Sequence, residues 1–158
     1  LKKVTIISII LLGLSLIISS LFIMPISIDY KYEGIAYQLN NSKFSQKALI
    51  ELSGQYDKKL KKFDGQLCIN KNEFVPCFFS PATMWICYAG DRRYIMGQVY
   101  ATEDLKQLTF EINNEQIYYD LTKEPYKGEN LLVTVPANNK EEAEAIYYNL
   151  KQYGAIGK

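Results

Sequence analysis

The sequence predicts an α+β fold, mostly β, carried on an N-terminal transmembrane helix. Three observations predict it: an uncharged apolar run at the N-terminus, recurrent period-two alternation through the middle of the chain, and a change to helical periodicity after Pro136. We expect an antiparallel sheet or sandwich of about seven strands with one C-terminal helix packed on it. Residues 1–28 form a transmembrane signal-anchor segment, and residues 29–158, about 130 in number, form one extracytoplasmic β-rich domain.

No charged residue occurs between Val4 and Ile28, and 14 of the 21 positions from Val4 to Met24 are Leu, Ile, Val or Phe. As a helix the run from Val4 to Ile28 reaches roughly 37 Å, enough for a hydrocarbon core roughly 30 Å thick. The lipid bilayer, entered through residues 4–24, is therefore the first expected partner. Ser19 and Ser20 are small enough for signal cleavage, but Ile18 fits such a site poorly and apolar residues resume at Leu21. A retained anchor is expected, with secretion after cleavage as the alternative. Lys2 and Lys3 precede the run, which places the N-terminus in the cytoplasm and the C-terminal domain outside.

Ile28, Tyr30 and Tyr32 alternate with charged residues, and Ile35, Tyr37 and Leu39 resume the pattern beyond a bulge expected at Glu33 and Gly34. Ala48, Ile50, Leu52 and Gly54 share a face, and Phe63, Gly65, Leu67 and Ile69 form the hairpin partner. Met84 to Tyr88, Tyr94 to Ala101 and Leu108 to Asn113 read as strands, separated by turn signals at Ala89-Gly90-Asp91 and Asn113-Asn114. The aromatic-rich Gln116 to Leu121 reads as a further strand, and Leu131 to Val135 as an apolar one ending at Pro136. A helix is expected over 139–153. Asn138 and Glu141 supply its cap, Ala143, Ile146, Leu150 and Tyr153 its buried face, and Gly154 its stop.

The domain beyond Ile28 carries 16 bases against 17 acids, which argues against nucleic acid as a partner. The absence of histidine removes the Ser-His-Asp and Cys-His nucleophile systems and every histidine-bearing zinc site. Cys68, Cys77 and Cys87 lack C-x-x-C spacing, so neither a metal site nor a cofactor is expected. Cys68 and Cys77 form the expected disulfide, and Cys87, between Ile86 and Tyr88, reads as a small buried core residue. Lys58, Lys59, Lys61 and Lys62 are the basic cluster. At a hairpin tip outside the cell they would touch anionic lipid headgroups or wall polymers; a solvated turn is the simpler alternative. The 13 tyrosines suit half-buried strand positions, or alternatively a stacking surface for sugars. Carboxylates such as Glu33, Asp57, Asp64, Glu111 or Asp120 are candidates for a glycosidase-like acid and base pair, without a distinctive motif.

The strings Ser53-Gly54-Gln55-Tyr56-Asp57 with Phe63-Asp64-Gly65, Gly97-Gln98-Val99-Tyr100 through Leu105-Lys106-Gln107-Leu108, and Val133-Thr134-Val135-Pro136-Ala137 leading into Glu141-Glu142-Ala143 carry a resemblance. The chain resembles uncharacterised small membrane-anchored, β-rich envelope proteins of low-GC Gram-positive bacteria. The resemblance implies a setting and no catalytic or ligand residues. The function expected is a membrane-anchored extracytoplasmic module, without catalytic activity, binding or supporting an envelope polymer or membrane protein. The alternative is a carboxylate-dependent envelope enzyme such as a glycan hydrolase. A cytoplasmic domain with three free thiols is a third reading.

Overall fold

The computed structural model describes residues 24–41 and 44–156, so most of the expected membrane segment, residues 4–24, lies outside the described residues. Eight strands form a closed antiparallel barrel in simple up-and-down order. They are β1 (Ile26–Tyr37), β2 (Ser45–Asp57), β3 (Lys62–Ile69), β4 (Asn72–Phe79), β5 (Thr83–Ala89), β6 (Arg92–Ala101), β7 (Leu108–Ile112) and β8 (Leu131–Val135). Helix α1 (Glu115–Thr122) interrupts the path from β7 to β8, and helix α2 (Lys140–Ile156) follows β8. The fold is mostly β as expected, but the sheet closes on itself rather than forming an open sheet or sandwich.

Alternation explains the barrel. On β2, Ala48, Ile50, Leu52 and Tyr56 are buried while Lys47, Ser53 and Gln55 are exposed, so one face of the strand fills the interior and the other meets water. Phe63, Leu67 and Ile69 continue the same inward face on β3. Aromatic contacts cross the interior: the Phe79 ring on β4 lies 5.8 Å from that of Phe110 on β7, and the Trp85 ring on β5 lies 5.1 Å from Phe110. Outward positions on the first strands carry Asp29, Lys31, Glu33, Lys47 and Glu51, with Lys31 and Glu51 paired across the ladder at 2.5 Å.

The barrel is unevenly stitched. β1 and β2 pair continuously from Ile26↔Tyr56 to Tyr37↔Ser45, whereas β8 joins β1 only from Ile35↔Thr134 to Tyr37↔Leu132. The lower half of β1 therefore has no strand on that side. The β6–β7 loop lies there instead, with Leu105 fully buried and its carbonyl oxygen accepting from the Tyr32 hydroxyl at 2.9 Å. Glu33 and Gly34 pair regularly with Leu49 and Ala48, so the expected bulge is absent; Gly34 lies where β8 comes in, close against the Thr134 carbonyl oxygen.

Two elements differ from their sequence patterns. Gln116 to Leu121 is helical, because the Asn114 side chain caps the Ile117 N–H at 3.2 Å and Ile117, Tyr118 and Leu121 fall on one helical face. Asn72–Phe79 is a strand the alternation concealed. Pro76 interrupts it, but Val75 and Pro76 both lie opposite Gln66 at a register shift, where the ladder needs no N–H from proline.

Helix α2 lies on the outside of the barrel and touches β1, β6, β7 and β8. Ala143, Tyr147 and Leu150 bury against Ile35, Tyr37, Tyr100 and Leu132, making a second core outside the barrel wall. Its cap is one residue later than expected: the Asn139 side chain accepts from the Glu142 N–H at 2.9 Å, and the Glu142 carboxylate accepts from the Asn138 N–H at 2.9 Å. Gly154 does not stop it; the helix continues to Ile156.

Candidate functional site

The chemistry-bearing groups gather at two places, a groove beside α2 and the barrel end where β1 begins. The groove, about 230 Å³, opens among Gln38, Asn40, Glu111, Glu129, Asn130 and Tyr147. Glu111 projects outward from β7, since its neighbours Phe110 and Ile112 face the interior. One carboxylate oxygen accepts from Asn130 Nδ2 at 2.6 Å and the other from the Tyr100 hydroxyl at 3.3 Å. That single hydroxyl proton is shared with Gln98 Oε1, which lies closer at 2.6 Å, and burial, followed by the Glu111 charge, raises the phenol well above the ordinary range. At the far side Lys151 Nζ donates to the Tyr147 hydroxyl at 2.9 Å and sits over its ring, and this hydrogen bond raises the lysine. With Glu111 held chiefly by Asn130, the groove offers hydrogen-bonding groups beside an aromatic ring.

The second place is built by register. Ile26 opens β1 opposite Tyr56, and β2 runs on past that level to the hairpin tip between Asp57 and Lys62. Asp57 Oδ1 accepts from the Lys59 and Leu60 N–H groups, both at 2.8 Å, which pins the turn. Lys58, Lys59, Lys61 and Lys62 therefore stand at the barrel end where β1 begins. Lys61 is held by Glu103 at 2.6 Å and Lys62 lies over the Phe78 ring, while Lys58 and Lys59 have no carboxylate partner among the described residues.

The expected cysteine pairing is corrected. Cys77 bonds to Cys87, not to Cys68, which is the free cysteine. Cys77 and Cys87 face inward at the same level of β4 and β5, with Cα atoms 4.1 Å apart, while Cys68 points outward from β3 between Leu67 and Ile69. A one-residue difference in strand parity thus decides the partner. Burial raises the Cys68 thiol above its ordinary value.

Of the carboxylates singled out from the sequence, only Glu111 lines the groove; Asp57 holds the hairpin turn and Asp120 accepts from Gln116 within α1 at 3.1 Å. Tyr37, Tyr56 and Tyr118 are buried, so these phenols serve the cores rather than a sugar-stacking surface. Sequence reasoning missed Asn130 and Tyr147, which become neighbours of Glu111 only through the α1–β8 loop and the docking of α2. No protein-family model, curated protein or solved structure matches this chain.

Proposed function

We propose that this chain is a single-pass membrane protein of the cell envelope, of the kind found in low-GC Gram-positive bacteria. Its barrel is a non-enzymatic module outside the cytoplasm that binds or supports an envelope polymer or a neighbouring membrane protein. The observation that carries this reading is the uncharged run from Val4 to Met24, separated by Pro25 alone from Ile26, where β1 begins and takes up the last three residues of the expected 1–28 segment. The Cys77–Cys87 disulfide supports an oxidising compartment. The groove supports binding, because it sets Glu111 and Asn130 beside the Tyr147 ring.

The test is thiol labelling of intact cells with a membrane-impermeant maleimide. The full chain is expected to resist alkaline extraction from membranes and to label at Cys68 alone, and at all three cysteines after reduction and denaturation. Labelling only after cell lysis would overturn the external placement, and release of an intact chain by alkaline washing would overturn the anchor. Turnover of wall polysaccharide by the full chain, abolished in Glu111→Gln, would instead establish the carboxylate-dependent enzyme.

A further inference from the structure

We infer that the β2–β3 hairpin is a membrane-contact element, seating Leu60 in the headgroup region of an anionic bilayer with Lys58 and Lys59 against the lipid phosphates. The inference rests on the anchored reading and adds to it an orientation and a ligand class. Strand direction supplies the geometry. β1 leads away from the N-terminal segment, so β2 leads back toward it and passes the level of Ile26 at Tyr56. At about 3.3 Å per residue the tip extends up to roughly 10 Å beyond that level. With one residue between Met24 and β1, a bilayer that takes up residues 4–24 faces this barrel end, where the tip stands beside the β4–β5 turn and the β6–β7 loop.

The tip has the chemistry for that meeting. Leu60 is 67% exposed and stands between lysines, an apolar side chain left open by the described residues. The Asp57 carboxylate holds the turn in place, so Leu60 is presented by a pinned loop. Lys61 and Lys106 are matched by Glu103 and Asp104 and Lys62 lies over the Phe78 ring, leaving Lys58 and Lys59 as the lysines of this hairpin with neither a carboxylate nor a ring partner among the described residues. Two lysines give little independent affinity, but the anchor makes the contact intramolecular, and a weak interaction at high effective concentration is sufficient. Met24 and Ile26, also exposed at this end, extend the apolar contact.

The test uses the full chain carrying Cys68→Ser and either Leu60→Cys or Lys71→Cys, each labelled with an environment-sensitive fluorophore and reconstituted into vesicles. The vesicles are phosphatidylcholine with or without phosphatidylglycerol, and brominated lipid is the quencher. Position 71 lies in the β3–β4 turn at the opposite end of β3 and reports a probe held away from the surface. Position 60 is expected to be quenched several-fold more than position 71 when phosphatidylglycerol is present. Lys58→Glu is expected to lower surface partitioning about fivefold or more, and added salt to act in the same direction. Equal quenching at the two positions in a chain that floats with the vesicles overturns the inference alone. A chain that does not float with them overturns the anchor, and this inference with it.

Discussion

Cys77 and Cys87 are covalently joined at the point where β4 and β5 are paired only through Cys77↔Cys87 and Phe78↔Ile86. The disulfide closes a short loop across the thinnest ladder described between consecutive strands. On the chain-entropy account such a loop contributes roughly 2.5 to 3 kcal/mol through the unfolded state. The double variant Cys77→Ala, Cys87→Ala is expected to lose about that much, read from denaturant midpoints. Cys68→Ala is expected to change the midpoint little, whereas a Cys68–Cys77 bond would make Cys68→Ala cost about as much as the double variant.

Tyr37 and Tyr56 are both buried phenols with different consequences. The Tyr37 hydroxyl donates to the Ala143 carbonyl oxygen at 3.2 Å and meets Thr134 Oγ1 at 3.3 Å, tying α2 to the barrel. Thr134 in turn meets Thr109 Oγ1 at 2.9 Å. The Tyr56 hydroxyl has no partner among the described residues. Tyr37→Phe is expected to cost about 1 kcal/mol, whereas Tyr56→Phe is expected to be neutral or slightly stabilising. Equilibrium unfolding of the two variants under one condition checks the ranking.

Alkaline pH should loosen this fold before its lysines titrate fully. Burial pushes Tyr32 up to about 12, and raises Tyr37, Tyr56, Tyr100 and Tyr118 as well. A phenol raised in the folded state ionises first in the unfolded chain. Its contribution is fully present below the unfolded value, about 10, and is lost as pH rises through the folded value. Denaturant midpoints should therefore fall between about pH 10 and pH 12, and phenolate absorbance should rise in step with unfolding. Tyr32→Phe should start from lower stability, having lost the bond to Leu105, and show a shallower decline. A midpoint that is flat across this window would refute the assignment.

Gly97 occupies φ +146° in β6, and a Cβ there would run into the Glu111 carbonyl oxygen on β7. Relief would require the β6–β7 ladder to part beneath the groove. Gly97→Ala is expected to cost about 3 kcal/mol or more. Loss of cooperative thermal unfolding, or a sharply lowered midpoint, is the outcome to look for, and wild-type stability would show that the strand yields.

The apolar stripe of each long strand was legible in the sequence, because a barrel wall needs the same alternation as any sheet with one face buried. Ala48, Ile50 and Leu52 face the core as their spacing required, and Ala143, Ile146 and Leu150 lie on the inner side of α2. Where local chemistry competed with the pattern, the pattern misled. Asn114 capped a helix where Tyr118 and Tyr119 suggested a strand, and Pro76 hid a strand whose bulge accommodates it. The groove was illegible, since Glu111, Asn130 and Tyr147 belong to elements that only docking brings together.

By itself the sequence determined the strands other than β4, the closing helix and the basic turn, since periodicity and charge are local properties of the chain. Closure of the barrel, the choice of Cys87 over Cys68 as partner to Cys77, and the placing of Lys58 to Lys62 beside the start of β1 were decided by tertiary structure alone. Each depends on register, which sets the residues that face one another across neighbouring strands. Register follows from the simultaneous packing of all eight inward faces, and no single stretch of the chain contains that information.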